Sequence, residues 1–378
     1  MKKMGNRILF LCSSPYTVFN AMNLFVNEKQ ENDLLLADIV LFERTPFIKR
    51  IAKLIDQERI FEHVILMKDF QTCRFKSVVY LFSYIFPRTA IKLFSTNGII
   101  NDEYMAVYSQ NYVFTVIIGK LIRKSKLYLI EDGVGTYTWR ASLPNARNRK
   151  LLLANKYLFN GKMIHNFDGQ YVYLPDMISA DRVKPRQLPQ VPPNMIEVYK
   201  KIFNYKSNSL YSENKIIILG QGNMSVVSVN NEFSKGKSRY DIIGELLRAD
   251  MGTDLILYRS HPAENEDNIP FCISTDTARN MWELECSTQI MSEHILIGFD
   301  TTALTLPKVL YNKEPTIVLL YHLFDYDNKE ISLLDSFYDS IRNKYVESQK
   351  VMVIKTKEEL DGAIYSIRKI IENNEFAR

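Results

Sequence analysis

Four short stretches of this chain combine residue types that can do chemistry. In Leu129-Ile130-Glu131-Asp132-Gly133-Val134-Gly135-Thr136-Tyr137, apolar residues run straight into two adjacent carboxylates and then two glycines. A carboxylate at the carboxyl end of a strand can take a proton from a substrate hydroxyl. Glycine lets the backbone approach a ligand closely. The Asp132-Gly133 pair also suits a plain turn that ends a strand. In Leu255-Ile256-Leu257-Tyr258-Arg259-Ser260-His261-Pro262, a histidine ends an apolar run and is held extended by the following proline. So placed, His261 can face a phosphate as a cation or protonate a leaving group, although a strand-end histidine is also a common structural feature. Arg259, two residues earlier, shares its face of the strand. In Ile295-Leu296-Ile297-Gly298-Phe299-Asp300-Thr301-Thr302-Ala303-Leu304, a strand turns into a helix through Asp300, Thr301 and Thr302. Thr301 or Asp300 is the N-cap candidate. Hydroxyls and free backbone N–H groups there can seat a phosphate, or simply cap the helix. Finally, Ile217-Ile218-Leu219-Gly220-Gln221-Gly222-Asn223 carries a Gly-x-Gly without the third glycine of a dinucleotide loop, and reads as a βα loop that contacts substrate.

Other candidates carry less. Asp325-Tyr326-Asp327 has the Asp-x-Asp form of metal-dependent sugar transferases, but it lies in a polar stretch, 325–330. Binding a hard divalent cation needs convergent oxygens that spacing alone does not imply. His63, His165, His294 and His322 show no metal-ligand spacing. Cys12, Cys73, Cys272 and Cys286 are too few and too scattered for a disulfide framework or a Cys-x-x-Cys site, which fits a reducing compartment. Phe75–Phe94 is apolar and aromatic, flanked by Arg74, Lys76, Arg88 and Lys92. It reads as a core helix broken at Pro87, or as a basic aromatic patch that rests on an anionic membrane.

The elements that must position these residues follow from the hydrophobic pattern. A length of 378 residues suits two domains, and 46% hydrophobic with 24% charged residues is ordinary for globular chains. A net charge of +5 is no nucleic-acid signature. No apolar run is long enough to span a bilayer, and Ile8–Cys12 is too short for a signal peptide. Strands are expected at Arg7–Ser13, Ala37–Glu43, His63–Lys68, Met105–Ser109 and Lys126–Glu131. In the second half they are expected at Lys215–Gly220, Asp254–Ser260, Phe271–Thr275, Ile295–Phe299, Thr316–Tyr321 and Val351–Lys355. Helices are expected at Pro15–Glu28, Pro46–Gln57, Tyr112–Arg123, Arg239–Ala249, Asn280–Ser287, Thr302–Tyr311 and Lys357–Asn373. This alternation predicts an α/β fold with parallel sheets. Four prolines within residues 185–193 interrupt it and predict a stiff, extended linker between two α/β halves.

Taken in order, Glu131-Asp132-Gly133-Val134-Gly135-Thr136, Leu219-Gly220, Ser260-His261-Pro262 and Phe299-Asp300-Thr301-Thr302-Ala303-Leu304-Thr305 resemble the bacterial sialyltransferases, in particular glycosyltransferase family 52, the lipooligosaccharide sialyltransferases. Polysialyltransferases share the acidic-Asp-Gly and His-Pro motifs. The resemblance spans roughly residues 100–310. It implies a GT-B architecture, two Rossmann-like domains facing a central cleft. The expected division is 1–183 (acceptor-binding, carrying the base), 184–213 (linker), 214–355 (CMP-donor-binding) and 356–378 (C-terminal helix). The implied reaction is inverting transfer of sialic acid from CMP-sialic acid to a hydroxyl of a terminal sugar, a galactoside, on a bacterial surface glycan such as lipooligosaccharide, O-antigen or capsule. A polysialyltransferase, or a hexosyltransferase using another nucleotide sugar, stays open. The resemblance makes Asp132 the general base, with Glu131 as the alternative. It puts His261 at the CMP phosphate and has Thr301 and Thr302 bind that phosphate. Glu283 or Glu285 falls where relatives place a ribose-binding acid. Gly133, Gly220, Gln221, Gly222, Asn223 and Pro262 complete the implied donor-binding set. No cofactor and no catalytic metal are implied. A cytoplasmic protein is expected, with peripheral contact at the inner membrane face and a homodimer both admitted. For an elongating enzyme, Arg147, Arg149, Lys150, Arg182, Lys184 and Arg186 could line a basic acceptor groove.

Overall fold

The computed structural model describes residues 6–43, 46–68, 79, 82–83, 85–95, 100, 104–109, 125–137, 167–178, 183–207, 209–248, 256–261, 264, 269–270, 273–276 and 280–375. The chain divides into two units, residues 1–136 with 140–204, and residues 137–139 with 205–378.

The first unit is built on a seven-stranded sheet of order β3-β2-β1-β4-β5-β6-β7. Its strands are β1 (Arg7–Cys12), β2 (Leu36–Glu43), β3 (His63–Lys68), β4 (Ala106–Ser109), β5 (Lys126–Ile130), β6 (Gly169–Val172) and β7 (Pro185–Gln187), and every pairing is parallel. Helix α1 (Pro15–Glu31) starts on a reciprocal cap. Ser14 accepts from the Thr17 backbone N–H, while the Thr17 hydroxyl accepts from the Ser14 N–H, and Pro15 opens the first turn. Helix α2 (Pro46–Gln57) turns Ile48, Ile51, Ala52 and Ile55 inward, one apolar stripe at helical spacing. Helix α3 (Pro87–Phe94) buries Ala90 and Ile91.

The second unit has a six-stranded sheet of order β10-β9-β8-β11-β12-β13, again parallel throughout. The strands are β8 (Ile216–Leu219), β9 (Ile256–Arg259), β10 (Ser274–Thr275), β11 (Ile295–Gly298), β12 (Thr316–Leu319) and β13 (Val351–Val353). Its helices are α4 (Arg239–Arg248), α5 (Trp282–Thr288), α6 (Leu306–Tyr311), α7 (Asn328–Arg342) and α8 (Lys357–Glu375). Ile242, Ile243 and Leu246 of α4 and Leu360, Ile364 and Ile367 of α8 join one core with Ile216, Ile218, Ile256, Ile295 and Ile297 of the sheet.

In each unit the first strand lies inside the sheet. The next two build outward on one side, and the chain then crosses to the other side. Counted from its own first strand, each sheet contains the order 3-2-1-4-5-6, the Rossmann order. The α/β expectation therefore holds in both halves. Central strands are apolar on both faces because helices cover both, so Ile8 to Cys12 and Ile216 to Ile218 are at most 1% exposed.

The expected linker at 184–213 needs correction. Pro185–Gln187 is the edge strand β7, paired with Gln170–Val172. Proline is tolerated there because an edge strand needs no inner donor. The following residues dress α1. Asn23 donates to the Pro189 carbonyl at 2.6 Å, and the Phe19 and Tyr199 rings meet at 5.2 Å. The chain passes from one unit to the other after Asn204, whose φ of 51° is left-handed. Tyr205 and Tyr211 already belong to the second unit: Tyr205 bonds Glu285 at 2.8 Å and Tyr211 bonds Asp276 at 2.6 Å. The helix expected at Thr302–Tyr311 is a 3-10 turn, Thr302–Leu304, followed by α6. The helix expected at Tyr112–Arg123 lies outside the described residues. So do Cys73, Cys272, Pro262, Arg147, Arg149, Lys150 and Arg182.

Candidate functional site

In an open parallel sheet, ligands bind beyond the carboxyl ends of the strands, where the strand order reverses. In the first unit the reversal falls between β1 and β4, with β5 next in line. Glu131 and Asp132 follow β5 immediately, and the fold treats them oppositely. Glu131 is 2% exposed. One carboxylate oxygen accepts from the Tyr16 hydroxyl at 2.8 Å, the other from the Tyr173 backbone N–H at 2.9 Å. Its own carbonyl accepts from the Asn20 amide at 3.2 Å. Glu131 thus joins α1, β5 and the end of β6. Asp132 is exposed. Its backbone N–H donates to the Thr136 hydroxyl at 2.9 Å, and the Gly133 carbonyl accepts from the Thr136 N–H at 2.9 Å. Gly133 has φ of 91°, a left-handed geometry that favours glycine. The loop is therefore closed by Thr136, through its hydroxyl and its backbone N–H, and Asp132 is exposed at the sheet edge. Asp132 also lies near the end of β1. Burial chiefly, and the Asp132 charge in addition, push the Cys12 thiol up.

The second unit's reversal falls between β8 and β11. Register puts Ile218 beside Tyr258 and Ile297, so the loops after Leu219, Arg259 and Gly298 leave the sheet at one level. Gln221 and Asp300 join two of them. The Gln221 amide donates to the Asp300 carboxylate, and the Asp300 N–H donates back to the Gln221 side-chain oxygen at 3.4 Å. Behind this pair lies Arg239, 2% exposed, with its guanidinium 3.8 Å from Asp300. The Phe299, Phe324 and Tyr326 rings lie 5.1, 5.2 and 5.8 Å from it. Arg239 also donates to the Asn223 carbonyl at 3.5 Å. Gly222 and Asn223 themselves are exposed.

His261 is half-buried, and its backbone N–H donates to the Glu264 carboxylate. Glu264 also accepts from Tyr258 at 2.6 Å and Tyr240 at 2.9 Å. A Cβ at Gly220 would meet the ends of the Glu264 and Tyr258 side chains, which would have to shift to admit it. Burial lowers the His261 pKa below its usual 6.5, with Glu264 pulling the other way. The imidazole is therefore neutral at pH 7 in the free protein. Thr301 caps the next turn by accepting from the Ala303 N–H at 3.3 Å. Thr302 is half-buried beside it.

Glu283 and Glu285, unlike the first pair, are both buried. Glu285 is fully buried and accepts from Asn280 at 2.7 Å and Tyr205 at 2.8 Å, which holds the chain's entry into this unit. Glu283 is 7% exposed, and burial pushes its carboxyl up to about 7. Its neighbour Trp282 donates to the Ala303 carbonyl at 2.6 Å, so α5 starts against the threonine turn. Arg259, expected beside His261, is committed to buried partners. It is turned inward to Asp276 at 2.5 Å and Tyr211 at 2.6 Å, over the Trp282 ring. The reason is electrostatic: the Asp276 side chain is fully buried and needs a cation.

The structure thus gathers Gly220, Gln221, His261, Thr301 and Thr302 at one sheet edge and leaves Glu131 and Glu285 in the interior. Asp325 and Asp327 are engaged locally. Asp325 accepts from the Asn230 N–H at 3.1 Å, and Asp327 caps α7 by accepting from the Glu330 N–H at 2.7 Å. Arg186, expected in a groove, stacks over Tyr128 at 5.0 Å. Sequence reasoning missed Glu264 and Arg239. Glu264 follows His261 by three residues, a spacing that was a usable signal. Nothing in the sequence around Arg239 marks it.

No family model matches the chain, and no curated protein matches it. Among solved structures it is similar to the GT-B domain of a sialyltransferase from Photobacterium damselae, at 14% identity and a TM-score of 0.47, covering 92% of this chain and 99% of that one. It is similar to a 2,6-sialyltransferase from Photobacterium sp. JT-ISH-224 bound to CMP and lactose, at 13% identity and a TM-score of 0.47, covering 92% and 78%. It is also similar to the E. coli heptosyltransferase WaaC with ADP, at 13% identity and a TM-score of 0.41, covering 97% and 99%. Complexes with CMP and with ADP are matched alike, and the likeness singles out neither.

Proposed function

We propose that this chain is an inverting glycosyltransferase that moves sialic acid from CMP-sialic acid to a hydroxyl of a sugar acceptor. The observation that supports this most is the contrast between the adjacent carboxylates. Glu131 is buried and bonded on both oxygens, whereas Asp132 is exposed on a loop closed by Thr136 at the carboxyl edge of a Rossmann sheet. In this reading the first unit takes the acceptor and the second the donor.

Asp132 accepts the proton of the acceptor hydroxyl. That oxygen forms a bond to the anomeric carbon, the bond from this carbon to the CMP phosphate oxygen breaks, and CMP leaves with the electron pair. Negative charge grows on the phosphate as the bond breaks, so donors placed there lower the barrier. His261, Thr301 and Thr302 supply them. A neutral His261 donates through its ring N–H, and the growing phosphate charge favours its protonation. Glu283, largely protonated below about pH 7, serves the ribose. The reaction needs no metal in this scheme, and both carboxylates of the Asp325-Tyr326-Asp327 motif are occupied with backbone N–H groups.

The test is incubation of the purified chain with CMP-sialic acid and lactose, galactose and sialoside acceptors, followed by linkage analysis. Thermal melting with CMP, UDP, GDP or ADP runs alongside it. The expected result is a sialylated product, a melting shift with CMP, and activity that survives EDTA. No product together with a shift only for UDP, GDP or ADP would overturn the donor assignment.

A further inference from the structure

We infer that the outer face of α3 and the residues just before it form a docking surface for an anionic lipid bilayer. The segment is seated firmly from inside. Ile91 packs with Leu9, Ile65 and Met67, and Ser95 pairs with Met67 as an antiparallel bridge. Its other side is left apolar and open: Ile85 and Phe86 are each 54% exposed and Leu93 is 63% exposed. With about 3.6 residues per turn, Arg88, Thr89, Lys92 and Leu93 fall on the side of α3 away from Ala90 and Ile91, and Ile85 and Phe86 precede the helix. Both cations are exposed.

The charge of the surrounding sequence selects the occupant. Residues 70–101 contain no aspartate or glutamate, but include Arg74, Lys76, Arg88 and Lys92, in a chain that otherwise carries nearly equal numbers of acids and bases. A second protein of ordinary mixed charge gains nothing special from such a run. A negatively charged lipid surface does: the cations draw it in, and the bulky apolar side chains enter the boundary between headgroups and tails. Among the described residues no helix is long and apolar enough to cross a membrane, so this contact lies on the bilayer rather than through it. The inference is independent of the proposed activity, because binding is read without substrate.

The experiment is co-sedimentation of the full chain with vesicles of phosphatidylcholine alone, or with about a third phosphatidylglycerol. Binding to the anionic vesicles only, falling as salt rises, is expected. The double substitution Arg88→Glu/Lys92→Glu should weaken it about tenfold or more. Phe86→Ser/Leu93→Ser should weaken it too, and the residue that remains should be released by salt. Melting curves establish that the variants are folded, and the charge-reversed pair decides the question if the serine pair is not. Equal behaviour on the two vesicle types overturns the proposal, as does unchanged binding of the charge-reversed variant. So does a dimer in sedimentation velocity that the same substitutions abolish while vesicles are ignored.

Discussion

The two halves of this protein share a strand order and differ in how they hold the groups at its carboxyl edge. In the first unit one carboxylate, Asp132, is exposed at that edge. Its loop is closed by Thr136 and Gly133, and the neighbouring Glu131 is spent on Tyr16 and Tyr173. In the second unit the loops hold one another through side chains: Gln221 with Asp300 and Arg239, and His261 through Glu264 with Tyr240 and Tyr258. A loop whose closing bonds do not use the Asp132 side chain lets that side chain be replaced with little disturbance of its neighbours. A side-chain network spreads the effect of any one change. Chemistry and stability should therefore separate cleanly in the first unit and blend in the second.

The largest expected effect tests that separation. Asp132→Ala should lower transfer by roughly 10²–10⁴-fold with no change in melting temperature, as a general base on an exposed loop should. Near-normal turnover in the folded variant would remove the base assignment. Glu131→Ala should do the reverse, costing roughly 2–4 kcal/mol in chemical denaturation because buried donors lose their acceptor. An unchanged unfolding midpoint would show that the two neighbours do not divide their roles.

In the second unit, Glu283 has a carboxyl raised from 4.5 to about 7 by burial. Between those values the folded chain holds a proton that the unfolded chain has lost, so this group's contribution falls as pH rises and levels off above about 7. Glu283→Gln should thus be more stable than the parent at pH 8 by roughly 1–3 kcal/mol and equal to it near pH 4.5. A pH-independent difference would deny the buried, protonated carboxyl. The smallest effect concerns His261. Its burial-lowered pKa means the neutral ring suits the fold; that stability is present above 6.5 and is lost as pH falls from there through the lower folded value. Glu264→Gln removes the opposing charge and should move the His261 titration, followed by NMR, further down. An upward or absent shift would detach Glu264 from His261.

Much of the fold was legible in the sequence because a strand buried between two helical layers must be apolar on both faces. The central strands, such as Arg7–Cys12 and Ile295–Gly298, were expected within a residue or two. The elements missed are those without that pattern. β6, Gly-Gln-Tyr-Val, is short and mixed in character, and β7, Pro-Arg-Gln, is the edge strand, where apolar residues are not required. Asn328–Arg342 went unread as a helix because its start looks like an acidic loop, although Asp327 is its cap.

The site was legible in the same partial way. Residue order alone put Glu131 at a strand end and Asp132, His261, Thr301 and Thr302 just beyond strand ends, since a strand's end shows as the point where an apolar run meets polar residues. Which of two neighbouring acids faces solvent could not be read there. Successive side chains near a strand end point to opposite sides, and which side is interior depends on what packs against it. Only the tertiary structure turned Glu131 toward Tyr16 and left Asp132 outside. Only it buried Glu285 against Tyr205 and Asn280, drew Arg259 inward to Asp276, and placed Arg239 behind Asp300. The sequence by itself determined two alternating α/β halves and the points where reactive residues leave their strands. Long-range packing decided which of those residues are committed to the interior, because a buried charge must find its partner among residues far away in the chain.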